Sequence, residues 1–235
     1  IAGTKCPDDC NACEKACPTR AIDLTNGVRL DMGRCLFCAE CVRACPENLI
    51  RYTTDHRLAA GMRTDLIVDA KSGESRRAIS LDEKMKKLFG RSLKLRHVAA
   101  GDCSGCALEL QALNNVVFDL GRFGIQFVAS PRHADGILVT GPVTKNMSLA
   151  LRKTYEAVPA PKLVIAVGAC AISGGPFRGS PEIHDGVDGG GFAGLHVDLF
   201  IPGCPPHPLT FLDGLLRLLG RLEDQKSGSG KEANT

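Results

Sequence analysis

The chain has 235 residues, 29 basic against 26 acidic side chains, a formal net charge of +3, and 44% hydrophobic with 23% charged residues. That balance excludes a wholly disordered chain and lacks the charge excess of a strongly electrostatic nucleic-acid binder. With two Tyr and no Trp, stacking platforms for bases are scarce, and no run of 18 apolar residues free of charge provides an ordinary membrane span. The unusual number is twelve cysteines.

Residues 1–60 carry eight of them in two runs. The first is Cys6-x3-Cys10-x2-Cys13-x3-Cys17-Pro18 and the second Cys35-x2-Cys38-x2-Cys41-x3-Cys45-Pro46. The second run has the spacing of bacterial ferredoxins, in which three close thiolates wrap a cubane and the fourth reaches the other cluster. On that rule cluster A takes Cys6, Cys10, Cys13 and Cys45, and cluster B takes Cys35, Cys38, Cys41 and Cys17. The first run departs by one extra residue between Cys6 and Cys10. A secreted disulfide framework or a zinc site is the alternative, but neither needs the repeated Cys-Pro. Residues 1–60 therefore resemble the two-[4Fe-4S] bacterial ferredoxins. The opening at Ile1 has no basic-then-apolar signal segment, and the missing Met points to a trimmed or processed start.

Residues 61–93 read as a connector. Thr64–Asp69 is strand-like, and Asp82–Phe89 predicts a short helix with a basic face and apolar Leu81, Met85, Leu88 and Phe89. That helix is a packed connector or a docking element for a partner subunit or an anionic membrane surface.

Residues 94–223 have a different grammar. Strands are expected at Leu95–Ala99, Ile125–Ala129, Ile137–Thr140, Leu163–Gly168 and Val197–Ile201. Helices are expected at Ala107–Leu120, Lys145–Val158 and Leu209–Leu222. Continuous apolar strands separated by helices predict a mostly parallel sheet covered on both faces. Residues 224–235 read as a flexible tail. The remaining four cysteines, Cys103, Cys106, Cys170 and Cys204, all follow strands, where open α/β sheets place ligands. Four thiolates make one further cubane, whereas a free Cys-x-x-Cys redox pair would leave Cys170 and Cys204 without a task.

Several stretches carry a family resemblance: Gly101-Asp102-Cys103-Ser104-Gly105-Cys106 with Glu109, Ser130–Asp135, Thr140–Thr144, Gly168–Gly175 and Pro202–Pro206. They resemble the electron-transfer small subunit of [NiFe] hydrogenases, in particular the energy-converting, membrane-linked group, and the homologous cluster-bearing subunit of respiratory complex I. The resemblance implies an α/β chain in which a two-cluster ferredoxin-like module precedes a flavodoxin-like parallel-sheet domain. It also implies that Cys103, Cys106, Cys170 and Cys204 hold the [4Fe-4S] cluster nearest the active site of a partner large subunit. The complex I subunit has two adjacent cysteines in its first motif; Cys103 and Cys106 are separated by two residues, as in the hydrogenase branch. A ferredoxin part fused into the same chain departs from the usual separate subunit.

The resemblance makes Glu109, Arg132 and His133 candidates for the partner interface or a proton path. Helix-end charge and a solvated loop are the bland readings. His207 reads as a helix-start or interface residue, and His184 and His196 belong to no constellation. No Walker or dinucleotide fingerprint is present.

The expected role is an electron-transfer component of a multisubunit oxidoreductase, with three [4Fe-4S] clusters and no complete active site of its own. It would work beside a catalytic, [NiFe] hydrogenase-like large subunit, with further ferredoxin and membrane subunits and no nucleic acid. Its expected location is cytoplasmic, peripheral on the inner membrane through those subunits. A complex I-like quinone-reducing subunit is one alternative, and a stand-alone iron–sulfur scaffold or redox sensor another. Three cubanes with their thiolates would move the formal charge from +3 to about −3.

Overall fold

A computed structural model describes residues 6, 10–69, 81, 83–89, 92–188 and 195–222. The expected tail, residues 224–235, lies outside them, as does Asp82 of the predicted connector helix.

The two cysteine runs fold alike. Helix α1 (Ala12–Ala16) lies within the first and α2 (Glu40–Ala44) within the second, and they pack against each other. Five-residue helices are too short to persist alone, so each depends on its packing against the other. Each ends at the fourth cysteine of its run, in extended backbone, with the Cys17 amide returning to Glu14 and the Cys45 amide to Val42. Strands β1 (Ile22–Asp23), β2 (Arg29–Asp31) and β3 (Ile67–Asp69) form an antiparallel sheet in that order, with Ile22 opposite Leu30 and Leu30 opposite Val68. The segment expected as a connector thus supplies the third strand. Residues 64–66, read as the start of a strand, belong instead to a 3-10 turn over Arg63–Leu66. The apolar centre is small, with Cys13, Ile22 and Ile50 buried together.

Met32, Leu66 and Val68 of this unit pack in one core with Val139 and Ile172 of the rest of the chain. Ala60 and Phe200 exchange both backbone hydrogen bonds, at 3.0 and 2.8 Å. Helix α3 (Glu83–Phe89) buries Phe89 and sets Met85 against the larger core, while the preceding Leu81 donates its amide to Leu218. Phe89 and Met85 of α3 therefore serve this chain's own packing, while Leu88 is 59% exposed.

The larger unit is a five-stranded parallel sheet of β4 (Leu93–Ala99), β5 (Ile125–Phe127), β6 (Gly136–Thr140), β7 (Leu163–Val167) and β8 (Leu199–Ile201). Their order is β5-β4-β6-β7-β8. Strands β6 and β7 are buried at every position, as a sheet covered on both faces requires. Alternation along β6 divides the core: Ile137 and Val139 pack with Leu151 of α5 (Lys145–Ala157) and Ile172 of α6 (Gly168–Ser173). Leu138 packs with Leu110 of α4 (Gly105–Ala112) and Phe211 and Leu215 of α7 (Pro208–Leu218).

The expected helix over 107–120 starts two residues earlier and ends at Ala112. Asn115 explains the stop: its side-chain oxygen accepts the amides of Val117 and Phe118, at 2.8 and 3.0 Å, an alternative to helical pairing. Leu108 and Val116, expected among the helix's apolar positions, are 62% and 93% exposed. Among the described residues no helix is long and apolar enough to cross a membrane.

Candidate iron–sulfur centres

Three groups of thiols emerge, and all twelve cysteines are free of disulfides. In the small unit Cys45 lies near thiols of the first run and Cys17 near thiols of the second. The Cys6 thiol is pushed up by burial and then by Cys10, Cys45 and Glu47. Cys13 is raised by burial, Cys6 and Cys45, against its neighbouring amides. The other group is Cys35, Cys38, Cys41 and Cys17. Burial pushes the Cys35 thiol up to about 11 against the Phe37 amide, with further rises from Cys41, Cys17 and Cys38. Cys41 is raised by burial, then by Cys17 and Cys38. Cys45 therefore acts on the first run and Cys17 on the second.

Backbone amides reach three of these sulfurs. Ala21 donates to Cys17 Sγ at 3.2 Å, Leu49 to Cys45 Sγ at 3.3 Å and Phe37 to Cys35 Sγ at 3.3 Å. The first two repeat one geometry, four residues beyond the fourth cysteine of each run. Such N–H···S contacts stabilise sulfur that carries negative charge. A cleft of about 140 Å³ opens beside Cys35 and Cys41, walled by Phe37, Ile50, Tyr52 and Leu58.

The third group lies at the carboxyl edge of the parallel sheet. Cys103 and Cys106 come from the loop after β4 and the first turn of α4, Cys170 from α6 directly after β7, and Cys204 from the loop after β8. The Ala169 amide donates to Gly203 at 2.9 Å and ties the last two segments together. Burial pushes Cys106 up to about 12 and Cys170 up to about 11, with Cys204, Cys103 and Asp102 adding to both and Cys170 adding to Cys106. Cys204 is raised by burial, then by Cys103 and by Cys38 of the small unit. The second and third groups are thus neighbours.

Two glycines make room for these sulfurs. Gly168 has φ +83°, and a Cβ there would stand 2.7 Å from Cys106 Sγ. Gly175 has φ +55°, and its Cβ would stand 2.8 Å from Cys170 Sγ. Both therefore satisfy a positive φ and a close sulfur approach together. Among the described residues no three or more His, Cys, Asp or Glu converge as they would on one metal ion. A cubane's iron and sulfide atoms fill the middle and hold its thiolates farther apart than a single ion does. Cleared space, inward amides and four-thiol groups fit such a cluster.

Other residues singled out from the sequence fall at different distances from this edge. Glu109 is half-buried on α4, within one turn of Cys106. Arg132 and His133 are exposed on a 3-10 turn, and Asp135, two residues beyond it, is hydrogen-bonded to Lys94 at the opening of β4. The Cys103 loop follows the other end of that strand, so these two side chains are not brought to the thiols. His207 caps α7, accepting the Leu209 amide through Nδ1 at 3.2 Å. Sequence reasoning missed Gly168 and Gly175 as sulfur cradles. Their signal was a glycine directly after a buried strand and a Gly-Gly pair five residues beyond Cys170.

A parallel sheet with four cysteines at its carboxyl edge, preceded by a compact eight-cysteine unit, defines an iron–sulfur electron-transfer protein. Residues 103–218 match the family described as NADH ubiquinone oxidoreductase, 20 Kd subunit, and residues 5–49 match the 4Fe-4S dicluster domain. The chain is 42% identical over 142 residues to the "Probable membrane-bound hydrogenase subunit mbhJ" of Pyrococcus furiosus, covering 60% of this chain and 83% of that one. It is 45% identical over 125 residues to an NADH-quinone oxidoreductase subunit of Citrifermentans bemidjiense, covering 53% and 71%. Among solved structures, a chain of the membrane-bound sulfane sulfur reductase, an archaeal respiratory membrane complex, superposes with a TM-score of 0.50 at 33% identity, over 60% of this chain and 75% of that one. The chain belongs to this family of hydrogenase and complex I iron–sulfur subunits, and it carries an N-terminal dicluster ferredoxin domain.

Proposed function

We propose that the chain relays single electrons through three [4Fe-4S] clusters between an external redox partner and the active site of a catalytic large subunit. Cluster A is held by Cys6, Cys10, Cys13 and Cys45, cluster B by Cys35, Cys38, Cys41 and Cys17, and cluster C by Cys103, Cys106, Cys170 and Cys204. The clusters supply reversible one-electron storage. The protein's part is to hold them, set their separation and exclude water. The observation that carries the reading is the third group, where Gly168 and Gly175 leave space against two of four thiols gathered from three strand ends.

Neighbouring Cys38 and Cys204 support the order A, B, C, with C next to the large subunit. The strand order, second strand outermost beside the first, supports a flavodoxin-like description of residues 94–223. Residues 1–60 with β3 form the ferredoxin-like part. The large-subunit face would run from the Cys103–Cys106 loop over Glu109, beside exposed Leu108, Val116 and Val117. Nickel–iron chemistry in that partner is favoured by the Cys103-x2-Cys106 spacing and by the hydrogenase relative. The complex would sit on the cytoplasmic side of the membrane through other subunits.

A second reading, a partner that reduces quinone, is favoured by the NADH-quinone oxidoreductase relatives. Purifying the chain with its native partners separates the two. Nickel in the complex and hydrogen-dependent reduction of all three clusters support the first reading. A nickel-free complex that reduces quinone supports the second.

A further inference from the structure

A half-buried cation, Arg63, sits at the seam between the second and third thiol groups, with its Nη1 atom buried. Gly33, two residues before Cys35, is buried, and a Cβ on it would stand 2.8 Å from Arg63 Cζ and Nη1 and 2.8 Å from Ile172 Cγ2. Ile172 is two residues beyond Cys170. The next residue, Ser173, donates its hydroxyl to the Gly33 carbonyl at 2.9 Å. The Arg63 guanidinium is therefore packed on the segment that leads to Cys35, opposite the helix that carries Cys170.

Its charge is incompletely matched. Arg63 Nη2 donates to Asp31 Oδ2 at 2.6 Å, yet Arg34 Nε lies 3.3 Å from the same oxygen. One carboxylate serves two guanidiniums. Arg63 Nη1 and Arg34 Nε are buried, and among the described residues neither has a hydrogen-bond partner. A buried, unpaired N–H is costly unless something nearby carries negative charge. The Asp31 carboxylate also accepts the Gly33 amide at 2.9 Å, so the cation, its partner and the seam form one unit.

We propose that Arg63 is a positioning residue whose fixed charge raises the reduction potentials of clusters B and C relative to A, keeping the two inner stations of the relay close in potential. This rests on the three-cluster reading above. Reducing a [4Fe-4S] centre adds one electron and one negative charge, so a nearby immobile cation favours the reduced form. Partial burial at the seam leaves little water to screen it.

Redox titration of the intact, anaerobically purified chain, followed by electron paramagnetic resonance, tests this. Arg63→Gln should lower the B and C potentials, reducing their reduced-to-oxidised ratio at a fixed potential by at least about threefold, and leave A in place. Arg63→Lys should restore most of the difference. Asp31→Asn, which keeps an oxygen for the Gly33 amide, should move B and C in the opposite direction. Opposite signs distinguish charge from structural disturbance, and Asp31→Asn decides the matter if Arg63→Gln does not hold its clusters. Three assembled clusters with B and C unmoved by these variants, or with all three shifted alike, overturn the role of Arg63 alone. A wild-type chain without B or C signals overturns the cluster reading beneath it.

Discussion

The Ser173 hydroxyl lies 2.9 Å from the Gly33 carbonyl and 3.0 Å from that of Ala169. One hydrogen thus serves two acceptors, one in its own helix and one in the ferredoxin unit. Ser173 stands three positions after Cys170 and Gly33 two before Cys35, so this contact ties together the segments that carry the second and third thiol groups. Ser173→Ala should cost about 1–2 kcal/mol, because the Gly33 carbonyl loses its partner in a buried place. Denaturant unfolding of the loaded protein measures it. An unchanged midpoint would mean that Ala60 and Phe200 hold the seam without help from the hydroxyl.

The exchange of fourth cysteines gives a paired expectation. Cys45→Ser should disturb the cluster of Cys6, Cys10 and Cys13 and spare the other, while Cys17→Ser should do the reverse. Magnetic spectra of the two reduced variants distinguish the clusters. Loss of the same cluster in both variants would contradict the exchange. Both substitutions should also weaken the small unit, whose buried apolar centre is limited to a few side chains.

Gly168→Ala and Gly175→Ala place a methyl group 2.7 and 2.8 Å from Cys106 Sγ and Cys170 Sγ, at backbone angles that alanine resists. Each should empty the third site and leave the first two, taking iron from about twelve to about eight per chain. Full loading of both variants would show that these glycines serve the backbone alone.

Asp198 gives a pH-dependent expectation. Its carboxyl is raised by burial, against the Val164 amide at 2.8 Å and the nearby His196. A raised folded value means that this group's contribution to stability is fully present below its ordinary 3.8 and lost as pH rises through the folded value. Asp198→Asn keeps an acceptor for Val164 and removes the buried charge. Its melting temperature should exceed that of the wild type at pH 7, and the gap should close as pH falls towards 4. A gap that widens on acidification would reverse the assigned sign.

Cysteine spacing was the most legible part of the sequence, because ligand geometry dictates it directly. Runs of β-branched and leucine residues also located β6 and β7, whose positions are buried throughout. Element ends were less legible where side chains compete with the backbone, as Asn115 does after α4. Ile67–Asp69 was legible as a strand within Thr64–Asp69, but its place in the small sheet was hidden, because it pairs with β2 across a long stretch of chain. The seam was invisible for the same reason. Nothing local to Gly33, Arg63 or Ser173 signals that they meet. Arg132 and His133 resembled site residues by motif, yet their turn is tied to the opposite end of β4 from Cys103.

Each of the three four-thiol groups should hold one cubane. Iron, acid-labile sulfide and zinc quantified per chain in the anaerobically purified protein should give about twelve irons and twelve sulfides with no stoichiometric zinc. About eight irons, or zinc at one per chain, would contradict it.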